Sequence, residues 1–152
     1  MLLAKAIDKL SRKGEPFEAL FMGDGEQSEE IQKCSGCIVH EFIPYHELPN
    51  YYAIADIGIW PRQESTSMID AAACGLPIII SNKVQAKERV EGNGLTYEEN
   101  NSDNLAEVIL TLKDVVYRKK FSDTGIKKMR EQFSWDRIAA NRVKDYSQFI
   151  KN

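Results

Sequence analysis

Residues 58–81 read GIWPRQESTSMIDAAACGLPIIIS, and this stretch decides the fold. Two apolar runs, GIW and PIIIS, flank a polar turn and a short helical segment, SMIDAAACG, which Gly75 ends as a C-cap. Apolar runs that do not alternate with polar residues are typical of strands buried on both faces of a parallel sheet. The stretch therefore predicts a strand–helix–strand unit with a right-handed crossover.

The same alternation of helix and strand extends in both directions from this stretch. Further strands are predicted at 17–23, 37–43 and 92–98, and helices at 2–13, 26–33 and 46–55, the last with Leu48, Tyr52 and Ala55 facing inward. A long helix over 104–119 and two more helices follow. The pattern predicts one Rossmann-like three-layer α/β/α domain over 1–152 with a parallel sheet. Because such domains normally begin with a strand, we expect the first strand to be missing.

Composition restricts the classes of function. The chain has 152 residues, 43% hydrophobic and 28% charged, with a net charge of −3 and a pI near 5.5. This balance is typical of one soluble globular domain and argues against a nucleic-acid partner, which usually requires a basic stripe. No apolar run approaches the roughly 18 residues of a membrane helix, and no signal peptide is evident, so a cytoplasmic location is expected.

The cysteine pair Cys34 and Cys37 has the spacing of a redox or zinc motif. Zinc requires four ligands, and only Cys74, His40 and His46 remain to complete a site. A redox pair places its first cysteine at a helix N-terminus, whereas this pair ends a helix. We therefore expect structural, inert cysteines and no metal site.

Ligands of doubly wound sheets bind at the carboxyl ends of the strands, which directs attention to three loops: GDGEQ, EFIPYH and PRQESTS. The first, with Gly23 and Gly25, follows a strand and precedes a helix, so its amides could hold a phosphate. It lacks a third glycine, and a tight turn that needs positive φ is an equal explanation.

The segment SMID has the spacing of a capping box, with Ser67 followed three residues later by Asp70. Asp70 could therefore be a helix cap and nothing more. Yet free amides at a helix start attract an anion, and the hydroxyls of Ser65, Thr66 and Ser67 lie beside them. The residues alone predict a nucleotide or phosphate site here.

Charged residues flank the same turn. Arg62 could bind a phosphate and Glu64 could accept sugar hydroxyls, or the two could form an exposed ion pair. His40 and His46 are expected as polar rim residues. Trp135 is expected to anchor the last helix in the core.

Six segments together resemble the C-terminal domain of group 1 glycosyltransferases of GT-B fold, which use nucleotide sugars. They are GDGE at Gly23, FIPYHELPNYYAIADIGIWP at Phe42, DAAACGLPIIIS at Asp70, ERVEGNGL at Glu88, DNLAEVI at Asp103 and FSW at Phe133. Their order and spacing along most of the chain carry the resemblance.

The resemblance implies a role for each residue of the donor loop. Asp70 takes the place of the family's second acid and would bind the donor ribose. Arg62 stands where the first acid should be, and Glu64 would serve instead in a shortened loop; Glu64 and Asp70 are thus the candidate catalytic residues. The amides around Ser65, Thr66 and Ser67 would hold the diphosphate or the sugar, and the loop from His40 to Phe42 would border the base. The full set of donor-binding candidates besides Asp70 is Gly23, Gly25, His40, Glu41, Phe42, Arg62, Ser65, Thr66, Ser67 and Met68.

The family mechanism implied is transfer of the sugar with retention, without a metal or cofactor, in polysaccharide or lipid-linked glycan biosynthesis. The family's basic pair and its N-terminal acceptor domain would precede residue 1. This fragment is therefore expected to be inactive alone, and any peripheral membrane association is expected through the absent half.

Three alternatives remain at this stage. A nucleotide-sugar epimerase shares the two-domain architecture but needs catalytic acids and histidines. A dinucleotide-binding oxidoreductase domain needs a third glycine after Gly25 and an acid after the next strand, where only Glu41 is available. A non-catalytic nucleotide-sugar-binding module is favoured by Arg62, which replaces an acid.

Overall fold

The computed structural model describes residues 1–150 and has the predicted alternation of parallel strands and helices. The strands are β1 (Ala19–Met22), β2 (Cys37–His40), β3 (Gly58–Trp60), β4 (Ile78–Ser81) and β5 (Gly94–Tyr97). The helices are α1 (Leu2–Arg12), α2 (Ser28–Gln32), α3 (Leu48–Ile54), α4 (Ser67–Ala73), α5 (Ser102–Thr111), α6 (Val115–Lys128) and α7 (Trp135–Ile150), with a π-helical turn at Met129–Phe133 and 3₁₀ turns at Tyr45–Glu47 and Lys87–Arg89.

The strands form two parallel sheets and not the single sheet predicted from the sequence. β1 pairs with β2, with Ala19 opposite Cys37, and the second sheet has the order β3–β4–β5. Its register places Gly58 opposite Ile78 and Ile78 opposite Gly94. No ladder hydrogen bond connects β1 to β3 within residues 1–150, so the sheet is interrupted at its centre.

Strand β4 is the centre of the hydrophobic core. Its four residues are all fully buried, as the apolar run predicts. Because side chains alternate along a strand, Ile78 and Ile80 pack on one face with α4 and Tyr52 of α3, while Ile79 packs on the other face with α1 and α5. The three layers of the domain follow from this alternation.

The glycine after α4 confirms the predicted helix end. Gly75 has φ of +92°, and its N–H donates to the carbonyl of Ala72. The neighbouring strand β5 requires a glycine for a different reason. A Cβ on Gly94 would lie 2.0 Å from the carbonyl oxygen of Ile78, so only glycine fits against β4 here.

Three sequence predictions about the helices are wrong. The helix predicted over 104–119 is two helices, because Asp114 has extended backbone and its side chain accepts from the N–H of Tyr117, which starts α6. Trp135 is 85% exposed and not a core anchor, since it begins a helix whose residues 139–148 are all exposed. Ala55 is exposed because α3 ends at Ile54 and the chain becomes extended.

Candidate functional site

The carboxyl ends of β1, β2 and β3 lead into the three loops singled out from the sequence. The third loop, residues 61–66, connects β3 directly to α4, whose first turn presents Asp70. Together with the 41–47 loop, it forms one end of an open cleft of about 1850 Å³ lined by Phe42, Tyr45, Arg62 and Ser67 among others. These residues are therefore brought together at the edge of the domain where ligands of such sheets bind.

The start of α4 differs from the predicted capping box. Thr66 is the N-cap, and its side chain accepts no capping hydrogen bond. The helix thus begins one residue earlier than the SMID spacing assumes, and Asp70 lies at its fourth position, too far along to reach back to the cap. The carboxylate of Asp70 is therefore not occupied by capping.

Asp70 has a different partner, which the sequence did not indicate. The hydroxyl of Tyr45 donates to Oδ2 of Asp70 at 3.0 Å, and this hydrogen bond raises the pKa of Tyr45 above its usual range. Tyr45 is itself 69% exposed and Asp70 is half-buried. Oδ1 of Asp70 accepts no hydrogen bond from residues 1–150, so one carboxylate oxygen is oriented and one is available.

The hydroxyls beside α4 bond to one another. Oγ of Ser67 lies 2.7 Å from Oγ of Ser65, and the indole N–H of Trp60 donates to Oγ of Ser67 at 3.2 Å. The N–H groups of Ser67 and Met68 donate to the hydroxyl and the carbonyl of Ser65. Among the described residues, the N–H groups of residues 62–66 find no acceptor, and those of Ser65 and Thr66 lie nearest to the start of α4.

Met68 contributes to the core and not to the site surface. Its side chain is 1% exposed and packs with residues of α3, β4 and the π-helical turn that form one face of the domain. Any contribution of Met68 to the site must therefore come from its backbone.

Arg62 and Glu64 do not form the ion pair that was one of the two alternatives, because each has another partner. Oε1 of Glu64 accepts from the N–H groups of Gln85 and Ala86 at 2.9 and 3.0 Å, which ties the 61–66 loop to the loop after β4. The guanidinium of Arg62 donates to Oδ1 of Asn100 at 2.9 Å. Oε2 of Glu64 has no partner within residues 1–150.

A second arginine that the sequence analysis missed lies against this loop. Nη1 of Arg89 is 3.5 Å from the carbonyl oxygen of Ser65, and its Nε is buried without a hydrogen-bond partner among the described residues. Nε also lies 3.8 Å from a carboxylate oxygen of Glu88. The segment ERVEGNGL was noted as a whole, but nothing in its spacing indicated that Arg89 reaches the 61–66 loop.

The base side of the predicted site is more open. Nδ1 of His40 lies 3.1 Å from the carbonyl of Glu41, and the imidazole stacks edge-on against Tyr51 with centroids 5.7 Å apart. Phe42 is 75% exposed beside them. These side chains surround a surface on which an aromatic ring could lie.

The loop at Gly23 and Gly25 supports the turn explanation in part. Gly23 has φ of +123°, as a tight turn requires. At Gly25 the carbonyl oxygen is already used, because it accepts from the N–H of Ser28 at 2.9 Å. The helix that follows has five residues, with Glu29 and Glu30 in its first turn. Two carboxylates there oppose phosphate binding, so this loop is the weaker of the two anion candidates.

One thiol of the cysteine pair, that of Cys37, is less acidic than usual. Burial raises the pKa of Cys37 to about 11, which leaves the thiol protonated at neutral pH. The described residues contain no group of three or more histidine, cysteine or acidic side chains arranged to hold a metal ion. Within the same residues, every helix is too short or too polar to cross a bilayer.

The family assignment comes from comparison with known proteins. The family model described as Glycosyl transferases group 1 matches residues 1–114. The chain belongs to the group 1 glycosyltransferases. The resemblance inferred from the six sequence segments is thereby confirmed, and this family is favoured over the oxidoreductase alternative.

Two curated relatives of this group 1 chain are mannosyltransferases. It is 27% identical over 109 residues to O-antigen chain mannosyltransferase B of Escherichia coli, covering 69% of this chain and 28% of that protein. It is 25% identical over 160 residues to a GDP-mannose-dependent alpha-(1-6)-phosphatidylinositol monomannoside mannosyltransferase of Mycobacterium tuberculosis, covering 91% of this chain and 41% of that protein. The chain thus spans less than half the length of these relatives.

Solved structures show that the chain shares the fold of GT-B glycosyltransferase domains. Sucrose-phosphate synthase from Thermosynechococcus elongatus superposes with a TM-score of 0.81 at 22% identity over 99% of this chain and 42% of that one. The Anabaena protein HepE in complex with UDP-glucose superposes with a TM-score of 0.78 at 20% identity, over 97% of this chain and 44% of that one. The predicted fold class is confirmed.

Proposed function

We propose that this chain is the nucleotide-sugar-binding part of a group 1 glycosyltransferase, with its donor held between the 41–47 and 61–66 loops. The observation that carries the proposal is the Asp70 carboxylate, which Tyr45 orients through one oxygen while the other stays available. Carboxylates at this edge of a doubly wound sheet accept hydrogen bonds from ribose hydroxyls. We assign that role to Oδ1 of Asp70.

The diphosphate would lie at the 61–66 loop. The N–H groups of residues 62–66 have no acceptor among the described residues, and we assign those of Ser65 and Thr66, nearest to α4, to the diphosphate. The guanidinium of Arg89 lies against the carbonyl oxygen of Ser65. Arg62 is exposed and its only side-chain partner among the described residues is the neutral Asn100, so its guanidinium is available to the diphosphate as well. Such donors stabilise negative charge on a departing diphosphate.

The sugar and the base would occupy opposite ends of the site. Oε2 of Glu64 is the acceptor we assign to a sugar hydroxyl, since Oε1 is already used by the loop after β4. His40, Glu41 and Phe42 would border the base, with Gly23 and Gly25 on the adjoining loop. Ser67 and Met68 would support the site through the backbone of α4.

The relatives direct the choice of donor. Both curated relatives named above are mannosyltransferases, and the name of one specifies GDP-mannose, whereas a structural neighbour contains UDP-glucose. We therefore propose GDP-mannose as the first donor to test and UDP-glucose as the second. We further propose transfer with retention and without a metal, completed by an N-terminal acceptor domain, for polysaccharide or lipid-linked glycan synthesis.

A non-catalytic nucleotide-sugar-binding module is the second candidate function. It is supported by Arg62, a cation at the position where the family has its first acid. The two candidates share the donor site and differ in turnover by the full-length protein.

Protein-observed NMR titration tests the donor site directly. GDP-mannose, UDP-glucose, GDP and UDP are added separately to the chain, and amide shifts are followed. We expect shifts at residues 62–70 and 40–45 for one base. The D70N variant should weaken binding about tenfold, equivalent to about 1.4 kcal/mol, because the ribose loses a charged acceptor.

The matched control is D123N, which removes a carboxylate paired with Lys119 on the surface of α6. It should bind the donor as the unaltered chain does. Equal affinity in D70N and the unaltered chain would remove Asp70 from the site. Amide shifts confined to residues outside 40–45 and 62–70 would refute the proposed location of the donor site.

A further inference from the structure

The buried hydroxyl of Tyr97 bonds to a strand that does not neighbour its own. Tyr97 ends β5, its side chain is 1% exposed, and its hydroxyl donates to the carbonyl oxygen of Pro61, the first residue of the 61–66 loop. The strands β5 and β3 lie on either side of β4, two strand spacings or roughly 10 Å apart. A long side chain is therefore needed to connect them across the end of β4.

The register of the sheet explains what this bond replaces. Trp60 forms the last pair between β3 and β4, whereas β4 and β5 continue for one more pair, Ser81 and Tyr97. The N–H of Asn82, the next residue after β4, donates to the carbonyl of Tyr97 and not to β3. Pro61 has no N–H, so its carbonyl is its only backbone hydrogen-bonding group. The Tyr97 hydroxyl thus takes the place of a ladder partner at the residue where the chain leaves β3.

A second hydrogen bond joins the same two segments. The guanidinium of Arg62, the next residue of the loop, donates at 2.9 Å to Oδ1 of Asn100, in the loop after β5. Asn100 has a φ of +62°, and Asn101 beside it caps α5. The first two residues of the 61–66 loop are therefore tied to the end of β5 as well as to their own strand.

The carbonyl that Tyr97 holds belongs to a planar group that decides where the loop points. The C=O of Pro61 and the N–H of Arg62 share one trans peptide plane and point in opposite directions. A carbonyl directed toward β5 therefore directs the N–H of Arg62 away from β5. Burial raises the pKa of Tyr97, which keeps its hydroxyl protonated and able to donate at neutral pH.

We propose that Tyr97 is a positioning residue for the donor diphosphate. By holding the carbonyl of Pro61 it fixes the start of the 61–66 loop, so that the N–H groups of residues 62–66 are oriented before the donor binds. Donors ordered in advance bind an anion without a further loss of loop entropy. The inference rests on the proposed donor site and adds a buried residue that acts through the loop and not by touching the donor.

The test compares Y97F with the unaltered chain by NMR titration with four probes: GDP, guanosine, UDP and uridine. Phenylalanine keeps the ring in the core and removes only the hydroxyl. For the base that binds, we expect Y97F to weaken diphosphate binding about fivefold and to leave nucleoside binding within about twofold. The ratio of the two Kd values therefore reports on the phosphate loop and not on the rest of the site.

The matched control is I109V, which removes one methyl group from the core cluster that contains Tyr97. It should lower stability without changing either Kd, because Ile109 lies on α5 and not at the loop. Relaxation of ¹⁵N nuclei in the ligand-free proteins gives an independent readout. Residues 62–66 should become more mobile in Y97F and not in I109V, whereas a purely structural role would leave the loop of both variants unchanged.

The outcomes separate this role from the donor site itself. Equal Kd ratios in Y97F and the unaltered chain, or equal order of residues 62–66, would overturn the role of Tyr97 and leave the donor site standing. An unaltered chain that binds neither diphosphate at residues 62–70 would refute the donor site, and the role of Tyr97 with it.

A measurement on the unaltered chain replaces the variant if Y97F does not fold. The hydroxyl proton of Tyr97 should be protected from exchange, and its resonance should move when the diphosphate binds but not when the nucleoside does. A resonance that does not respond to the diphosphate would overturn the proposal.

Discussion

The hydroxyl of Tyr45 and the carboxylate of Asp70 join, across 3.0 Å, the 41–47 loop and helix α4 at residues 25 positions apart in the sequence. The 41–47 loop follows β2, and α4 follows the 61–66 loop that leaves β3. The pair therefore fixes the orientation of an acid at the mouth of the site. Neither residue is held in the core, so the contact serves the geometry of the site more than the stability of the domain.

Replacing Tyr45 with phenylalanine tests that role. The Y45F variant should keep almost all of its stability, since the hydrogen bond is exposed, but should weaken donor binding about threefold to tenfold because Asp70 is then free to rotate. Y146F, on exposed α7, is the control and should change neither quantity. Thermal unfolding and NMR titration measure the two effects. A large stability loss with unchanged affinity would reverse this interpretation.

The close packing of Gly94 against β4 predicts that even alanine is not tolerated there. In G94A the new Cβ would be 2.0 Å from the carbonyl oxygen of Ile78 and 2.8 Å from Cγ1 of Val90, so β5 must separate from β4. We expect a loss of more than about 4 kcal/mol or failure to fold. G25A, where a Cβ meets nothing within 4 Å, should change stability by less than about 0.5 kcal/mol. Urea unfolding measures the stability of both variants. Equal stability of G94A and G25A would show that β4 and β5 do not approach each other this closely at Gly94.

Glu64 connects the 61–66 loop to the loop after β4. Removing its side chain in E64A leaves the N–H groups of Gln85 and Ala86 without their acceptor, and we expect a loss of about 1 kcal/mol for exposed, charge-assisted bonds. E64Q keeps an acceptor oxygen in the same place and should lose less. Thermal unfolding compares the two. Equal loss in both variants would show that charge, and not the acceptor geometry, holds the loop.

The hydrogen bond and ion pair of Asp8 make the stability of the domain depend on pH at the acid end. The pKa of its carboxyl lies below 3.8 because it accepts from the N–H of Ser35 and pairs with Arg12. A depressed pKa stabilises the folded state above the unfolded value, and the contribution disappears as pH falls through the folded one. The stability difference between the unaltered chain and D8N should therefore be constant at neutral pH and shrink below pH 3.8.

The control for this pH series is E18Q, which changes an exposed carboxylate that forms no ion pair among the described residues. Its stability difference should stay nearly constant over the same interval. Denaturant unfolding at stepped pH gives both curves. A D8N difference that persists unchanged at low pH would show that the Ser35 contact does not depend on the carboxylate charge.

The sequence predicted the second sheet well because local patterns and tertiary burial agree there. The unbroken apolar run of β4 can only be buried on both faces, and Gly75 can end α4 because it tolerates positive φ. The family resemblance rested largely on the same stretch. Local and global preferences support each other in this part of the chain.

Predictions failed where the deciding partner is distant in sequence or where two local patterns compete. The helical periodicity of 104–119 continues through the break, and only the capping bond of Asp114 decides against one helix. The exposure of Trp135 depends on what packs against α7, which periodicity does not show. The partners of Glu64 are 21 and 22 residues away, so its loop contact had no signal in the sequence.

The interruption between β1 and β3 has a mechanical consequence. Among the described residues, the two sheets meet through side chains of α1, which pack against both, and not through a ladder. Side-chain packing yields to small rotations more readily than a row of hydrogen bonds. A rotation of one sheet against the other would therefore break no ladder hydrogen bond among the described residues. The 41–47 loop follows the first sheet and the 61–66 loop follows the second, so such a rotation by a few degrees would open or narrow the space between the two loops. The hydrogen bond from Tyr45 to Asp70 would oppose that opening.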